Sequence, residues 1–219
     1  NGLNHPSTVA TMLNLSLFLK EKGEMIAARQ QLQIVLSIQN DMYGENDNST
    51  LKTRELIAQI YIELKMYDSS INILKEVLAS KVVTYGKLHH ETINVLETMG
   101  EVYIHEKKWI EAKSIYTKAM YAREVQAGKN DPLTLNCYNC MGKICEKLEE
   151  WEQSSLMYRN LLGGTIECMG GHHFGAYRTR DKILHLKLKV NPKVSKENIT
   201  IEGRQLYENA KKHLSVRDI

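Results

Sequence analysis

Five glycines, Gly2, Gly44, Gly86, Gly128 and Gly170, recur at a constant spacing of 42 residues. Six residues after each stand Thr8, Thr50, Thr92, Thr134 and Ala176, in the same register. The segments between read His5-Pro6-Ser7-Thr8, Asp47-Asn48-Ser49-Thr50, His89-His90-Glu91-Thr92 and Asp131-Pro132-Leu133-Thr134. A fixed period of this length is the mark of a repeat architecture, in which each unit buries its apolar face only against its neighbours.

Within each unit the apolar residues keep helical spacing. One position of the first helix carries Met12, Arg54, Leu96 and Tyr138, and three residues on come Leu15, Ile57, Met99 and Met141. The next position is small throughout, as Ser16, Ala58, Gly100 and Gly142, and three further on stand Leu19, Tyr61, Tyr103 and Cys145. A second helix repeats a small position at Ala28, Ser70, Ala112 and Ser154, followed by Leu32, Leu74, Tyr116 and Tyr158. Small residues at fixed offsets let two antiparallel helices approach closely. A propeller of similar period needs four strands per unit with alternating patterning, and none is visible; HEAT-type repeats match in length but not in this small-residue pair.

The order large, Leu, small, Tyr, Ala, aromatic, Ala resembles the tetratricopeptide repeat, whose common unit has about 34 residues. The longer unit, with Gly and then His-Pro-x-Thr ahead of the first helix, is similar to the repeats of kinesin light chains and related adaptors. The resemblance implies an all-α fold: a right-handed α–α superhelix, with four full helix pairs plus an atypical C-terminal pair. It places a repeat array over residues 1–190, with units near 2–43, 44–85, 86–127 and 128–169 and a partial fifth from 170, and a capping helix in 191–219.

First helices are expected near residues 7–22, 49–64, 91–106 and 133–148, and second helices near 25–41, 67–83, 109–126 and 151–166. Asp131-Pro132 supplies an N-cap with proline in the first turn, His5-Pro6 offers the same proline, and Asp47 or Asn48 caps its own unit. His89-His90 and His172-His173 occupy equivalent loops and read as caps rather than metal ligands. Each repeat glycine is expected in the left-handed conformation that ends a helix. Trp109 and Trp151 open second helices at the position of Met25 and Tyr67, so they read as packing residues. Asn191-Pro192 interrupts the fifth unit, and a last helix is expected over Glu197 to Leu214.

Only three prolines occur, which suits long helices. The net charge of +3 argues little by itself, although residues 176–219 hold eleven Lys and Arg against five Asp and Glu. That basic end reads first as a cap and second as a nucleic-acid-binding strip. No apolar run is long enough to span a bilayer, so no membrane association is expected. Cys137, Cys140, Cys145 and Cys168 are not spread as a disulfide framework, which implies a reducing, cytoplasmic setting. Cys137 and Cys140 lie one turn apart, but Cys145 falls at a buried repeat position and Cys168 in a loop, so no metal is expected. The Asn-x-Ser/Thr triplets at Asn14, Asn48 and Asn198 read as chance occurrences. The stretch begins mid-pattern without Met and reads as a piece of a longer chain.

The resemblance places first helices along a concave groove. Its candidate ligand-facing residues are Lys52, Glu55, Gln59, Asn94, Glu97, Glu101, His105, Asn136, Asn139, Lys143 and Lys147, with Ala10, Leu13, Leu17, Lys20, Ile62 and Glu63 around them. Asparagine amides there can both donate to and accept from the main chain of an extended peptide. Kinesin light chain-like repeats carry paired asparagines in the first helix; here Asn14 and Asn139 each match one member, while units two and three carry Glu55-Leu56 and Glu97-Thr98. Glu55, Glu63, Glu97 and Glu101 should make the centre of the groove negative, and Lys143 and Lys147 its far end positive, so the expected ligand is a protein or peptide with a basic segment. No nucleophile elbow, phosphate loop or dinucleotide motif is present, so neither catalysis nor a cofactor is expected. The reading is a protein-binding scaffold. Two alternatives stand beside it: a regulatory or sensor region of a larger multidomain enzyme or receptor, bound to other domains of its own chain, and nucleic-acid binding through the basic C-terminal part.

Overall fold

The computed structural model describes residues 5–171 and 173–190, and among these every regular element is an α-helix. First helices α1 (Pro6–Glu21), α3 (Asn48–Glu63), α5 (His90–His105) and α7 (Pro132–Lys147) each have 16 residues. Second helices α2 (Met25–Tyr43), α4 (Tyr67–Tyr85), α6 (Trp109–Ala127) and α8 (Trp151–Met169) each have 19. The last described helix is α9, Phe174–Val190. First helices start and end one residue earlier than their spacing predicts; second helices run one to three residues further. Cys168 is therefore not in a loop but in the last turn of α8, its thiol donating to the Asn130 carbonyl at 3.1 Å. The expected helix over 197–214, Gly2 and Asn198 lie outside the described residues.

Each first helix begins at a side-chain cap. Asp47 accepts from the Ser49 N–H at 2.8 Å, and Asp131 from the N–H groups of Leu133 and Thr134. In alternate repeats a histidine does the same work: His5 Nδ1 accepts from Ser7 N–H at 3.2 Å, His89 Nδ1 from Glu91 N–H at 3.3 Å, and His173 Nδ1 from Gly175 N–H at 3.2 Å. A neutral imidazole presents one acceptor nitrogen, so it can satisfy one of the orphan amides that every helix start leaves.

The repeat glycines end the second helices more stringently than a left-handed turn would. Gly44, Gly86, Gly128 and Gly170 have φ between 82° and 88° with ψ between 157° and 171°. That mirror-extended region is closed to residues with a Cβ. The turn inside each repeat has a different demand. Gly23, Lys65, Lys107 and Glu149 hold equivalent positions at φ 83°, 59°, 61° and 60°. A side chain in left-handed geometry costs about 1–2 kcal/mol, part of which glycine gives back as chain entropy. Lys107→Gly is therefore expected to raise stability by about 1 kcal/mol, read from urea unfolding. An unchanged midpoint would show that this turn is not strained.

The helices form two compact units whose boundary falls between Lys87 and Leu88. In the first, Ala28 and Leu32 of α2 share a core with Ile57 and Ile60 of α3. In the second, Ala112 and Tyr116 of α6 pack with Tyr138, Met141 and Ile144 of α7, and Tyr158, Leu162 and Ile166 of α8 with Ile183 and Leu186 of α9. The size of the small position matches the residue opposite. Where the first helix has glycine the second has tyrosine, as Gly100 with Tyr116 and Gly142 with Tyr158: a Cβ built at either glycine would lie 2.5 or 2.7 Å from the ring. The Ser16 and Ala58 repeats carry Leu32 and Leu74 instead, all four buried.

Candidate functional site

Two of the predicted groove glutamates are not free to meet a ligand. Lys81 of α4, fully buried, places its Nζ 2.5 Å from Glu55 Oε1. One repeat on, the buried Arg123 of α6 grips Glu97 with both Nε and Nη2 at 2.8 Å and reaches Asn94 Oδ1 at 2.6 Å. The Cys137 thiol donates to the same Glu97 carboxylate at 3.3 Å. Burial first, and then the Glu97 charge, push the Cys137 thiol far above its ordinary value; burial pushes Cys145 up to about 11 and also raises Cys140. These thiols sit in the core as protonated, poorly nucleophilic groups.

In the first unit Lys52 is exposed, while Gln59 is half-buried and accepts from Lys20 Nζ at 2.9 Å. In the second unit Glu101, His105 and Lys147 are exposed on their helices. Desolvation, followed by the neighbouring Glu97, raises the Glu101 pKa, and His105 opposes the shift.

The remaining predicted residues converge. Asn136, Asn139 and Lys143 of α7 line a cleft of about 360 Å³ together with Thr165 of α8 and Arg178 and Lys182 of α9. Lys182 donates to the Tyr158 hydroxyl at 3.1 Å and lies over that ring, and the same hydroxyl donates to Glu146. Desolvation depresses the Lys182 pKa, and the Lys143 and Arg178 charges add to the shift against the pull of Glu146. No carboxylate among the described residues pairs with Lys143 or Arg178. Cations crowded around a partly dehydrated cleft are relieved by an anion.

Sequence reasoning missed Arg178, Lys182, Lys81 and Arg123. Arg178 was within reach, since it follows Asn136 by one full period. Lys81 and Arg123 carry no hydropathy signal, because lysine and arginine in a second helix ordinarily face solvent, and Lys182 stands one period after Cys140 rather than after a basic residue.

Paired helices with small residues at their crossings, closed by glycines in fixed register, define a helical-repeat protein. The chain belongs to the tetratricopeptide repeat family, whose model matches residues 7–81 and 91–162. Its structural neighbours include proteins described as kinesin light chain-like repeats. A Podosopora anserina protein described as a kinesin light chain, with nearly identical TPR-like repeats, superposes with TM-score 0.75 at 13% identity over 96% of this chain and 98% of its own. BtubC (BKLC) from P. vanneervenii gives TM-score 0.73 at 12% identity, over 97% of this chain and 82% of its own. MamA from Desulfovibrio magneticus RS-1 gives 0.61 at 11%, over 96% and 97%. At these identities the likeness establishes the fold. No curated protein sequence matches the chain significantly.

Proposed function

We propose that the chain is a protein-interaction module that holds a partner segment against its first helices, and that the partner's anionic side chains or carboxylate terminus seat in the α7–α9 cleft. The observation that carries this reading is the convergence of Lys143, Arg178 and Lys182 with the Asn136 and Asn139 amides around one opening. Carboxamides hold an extended main chain irrespective of sequence, and the cations select charge. The pairing of Glu55 with Lys81 and of Glu97 with Arg123 removes the ground for a basic ligand segment, leaving Glu63 and Glu101 as the acidic groups outside a buried pair.

Asn94, His105 and Lys147 are proposed as further contact residues of the second unit, and Lys52 and Gln59 as contact residues of the first unit by itself. The four free thiols support a reducing compartment, and we propose a cytoplasmic setting. No described helix is long and apolar enough to cross a membrane. We assign the described residues no catalytic step; scaffold, adaptor and regulatory arm of a larger chain are all served by the same surface. Nucleic-acid binding through the basic end would draw on Lys and Arg residues on both sides of 190, five among the described residues and six outside them.

The test is titration of a labelled glutamate-rich peptide into the protein, with a lysine-rich and a neutral peptide beside it. The acidic peptide is expected to bind most tightly, and Lys143→Glu with Arg178→Glu to weaken it at least tenfold, about 1.4 kcal/mol, with thermal stability unchanged. Equal affinity for all three peptides, or an unaltered constant in the double variant, would overturn the reading.

A further inference from the structure

We propose, resting on the interaction-module reading, that the anion seated in the α7–α9 cleft is a phosphoserine or phosphothreonine side chain of the partner, so that phosphorylation of the partner switches binding on. The ground lies in what the preceding repeat does with the same positions. Glu97, Arg123 and Cys137 each have a counterpart one period on: Asn139, Thr165 and Thr179. All three counterparts line the cleft.

In the repeat of α5 and α6 these positions are filled from within. Arg123 reaches from α6 to the Glu97 carboxylate, and the Cys137 thiol donates to that carboxylate from α7. Lys81 and Glu55 form the equivalent pair one repeat earlier. In both, a cation taken out of water is answered by a carboxylate of the chain itself. The repeat of α7 and α8 has the room and lacks the occupants. Asn139 is a carbon shorter than glutamate and uncharged, and threonine is far smaller than arginine. Thr165 and Thr179 are both buried, and their hydroxyls turn back to the Leu161 and Gly175 carbonyls of their own helices. The space that a guanidinium and a carboxylate share in one repeat is therefore left open in the next.

The charges around that space have one sign. Lys143, Arg178 and Lys182 line it, and none of its lining residues is acidic. A glutamate brings a single negative charge on two coplanar oxygens. A phosphorylated serine or threonine carries about −1.5 to −2 at neutral pH on three oxygens, enough to give each cation its own acceptor. Arginine grips two of those oxygens at once, and lysine meets the third as a point charge. The shape of the cleft favours a phosphorylated segment over a free phosphate. Along α7 it runs from Pro132 to Lys143, about 16 Å of helix, with Leu135 and Met169 adding apolar surface beside Pro132. A phosphate ion would occupy the cationic part alone, whereas a peptide lays its flanking residues along the remainder.

Three fluorescein-labelled pools of degenerate nonapeptides, identical except for a central phosphoserine, glutamate or serine, are titrated into the full chain by fluorescence anisotropy. The phosphoserine pool is expected to bind at least tenfold more tightly than the glutamate pool. Asn139→Glu restores the carboxylate that the preceding repeat carries as Glu97. Set among the three cations it should compete from within, weakening the phosphoserine pool at least tenfold while the thermal midpoint does not fall. Arg178→Gln, which removes one of the cations, takes its place should that variant melt early. Equal affinity for phosphoserine and glutamate would overturn this inference and leave the interaction-module reading standing; no saturable binding of any pool would overturn both. Phosphoserine affinity unaltered by either substitution, or inorganic phosphate displacing the pool at concentrations as low as the peptide's own, would also overturn it.

Discussion

Replacing Glu97 by leucine is expected to destabilise the protein by about 3–5 kcal/mol, the cost of stranding one member of a buried ion pair. Arg123 is 2% exposed, and its Nε and one of its terminal nitrogens depend on that carboxylate. Burial and the charge of Glu97 pull the guanidinium pKa in opposite directions, and the hydrogen bonds to Glu97 win, raising it further. Without Glu97 the cation keeps Asn94 Oδ1 alone among the partners that answer its Nε and Nη2. A charged group left in that position has no way to neutralise itself, since arginine does not deprotonate in proteins.

The chain also contains the remedy. The residue 26 positions after Glu97 is Arg123, and the same offset joins Glu55 to Lys81, Leu13 to Gln39 and Asn139 to Thr165. Repeat one thus fills the site with leucine and a buried glutamine, 2% exposed. Glu97→Leu combined with Arg123→Gln should recover stability to within about 1.5 kcal/mol of the parent, because exchanging a whole buried pair for apolar or neutral groups is close to neutral. The measurement is a double-mutant cycle by urea denaturation, and additive losses would show that the two residues do not form a unit. The result also bears on any binding experiment. Charge reversal at Glu97 perturbs the core before it perturbs a ligand, so the groove is better probed at Lys143 and Arg178.

How much of this was open to sequence reading depends on how far the signal travels along the chain. Helix starts were legible to within a residue because their causes are local: His5, Asp47, His89 and Asp131 sit immediately before the amides they cap. The repeat itself was legible because Gly44, Gly86 and Gly128 answer one backbone requirement that no other residue meets. The site was half legible. Asn136, Asn139 and Lys143 share a helix face at intervals of three and four, so periodicity alone brings them together. Arg178 and Lys182 join them only because α9 packs against α8 and lines the same cleft, and Lys182 stands one period after Cys140, which gives no hint of a cation. Buried Lys81 and Arg123 were invisible for a further reason. A charge is taken from water only when a partner is placed for it, and that partner lies in another helix 26 residues earlier. Recurrence of the pair at a constant offset is a signal in the sequence, but one that becomes meaningful only once the two helices are known to cross there.

The same logic of matched positions gives the second large effect. Gly100→Ala would set a methyl carbon 2.5 Å from Tyr116 Cε2 and 2.7 Å from Cδ2, where about 3.5–4.0 Å is comfortable. Tyr116 is 1% exposed and packed against α7, so the ring cannot swing into solvent. Alanine is the better helix former by about 1 kcal/mol, which offsets part of an overpacking cost of about 1–3 kcal/mol or somewhat more at so close a contact. A net loss of about 2 kcal/mol is expected. Tyr116→Leu alone should also destabilise, by opening a void beside Gly100. The two together rebuild the pair that Ala58 and Leu74 form in repeat two, and the double variant should be more stable than either single one. A favourable coupling of about 1–3 kcal/mol in the denaturation cycle is the expected outcome. Coupling near zero would mean that glycine at this position answers to something other than the tyrosine across from it.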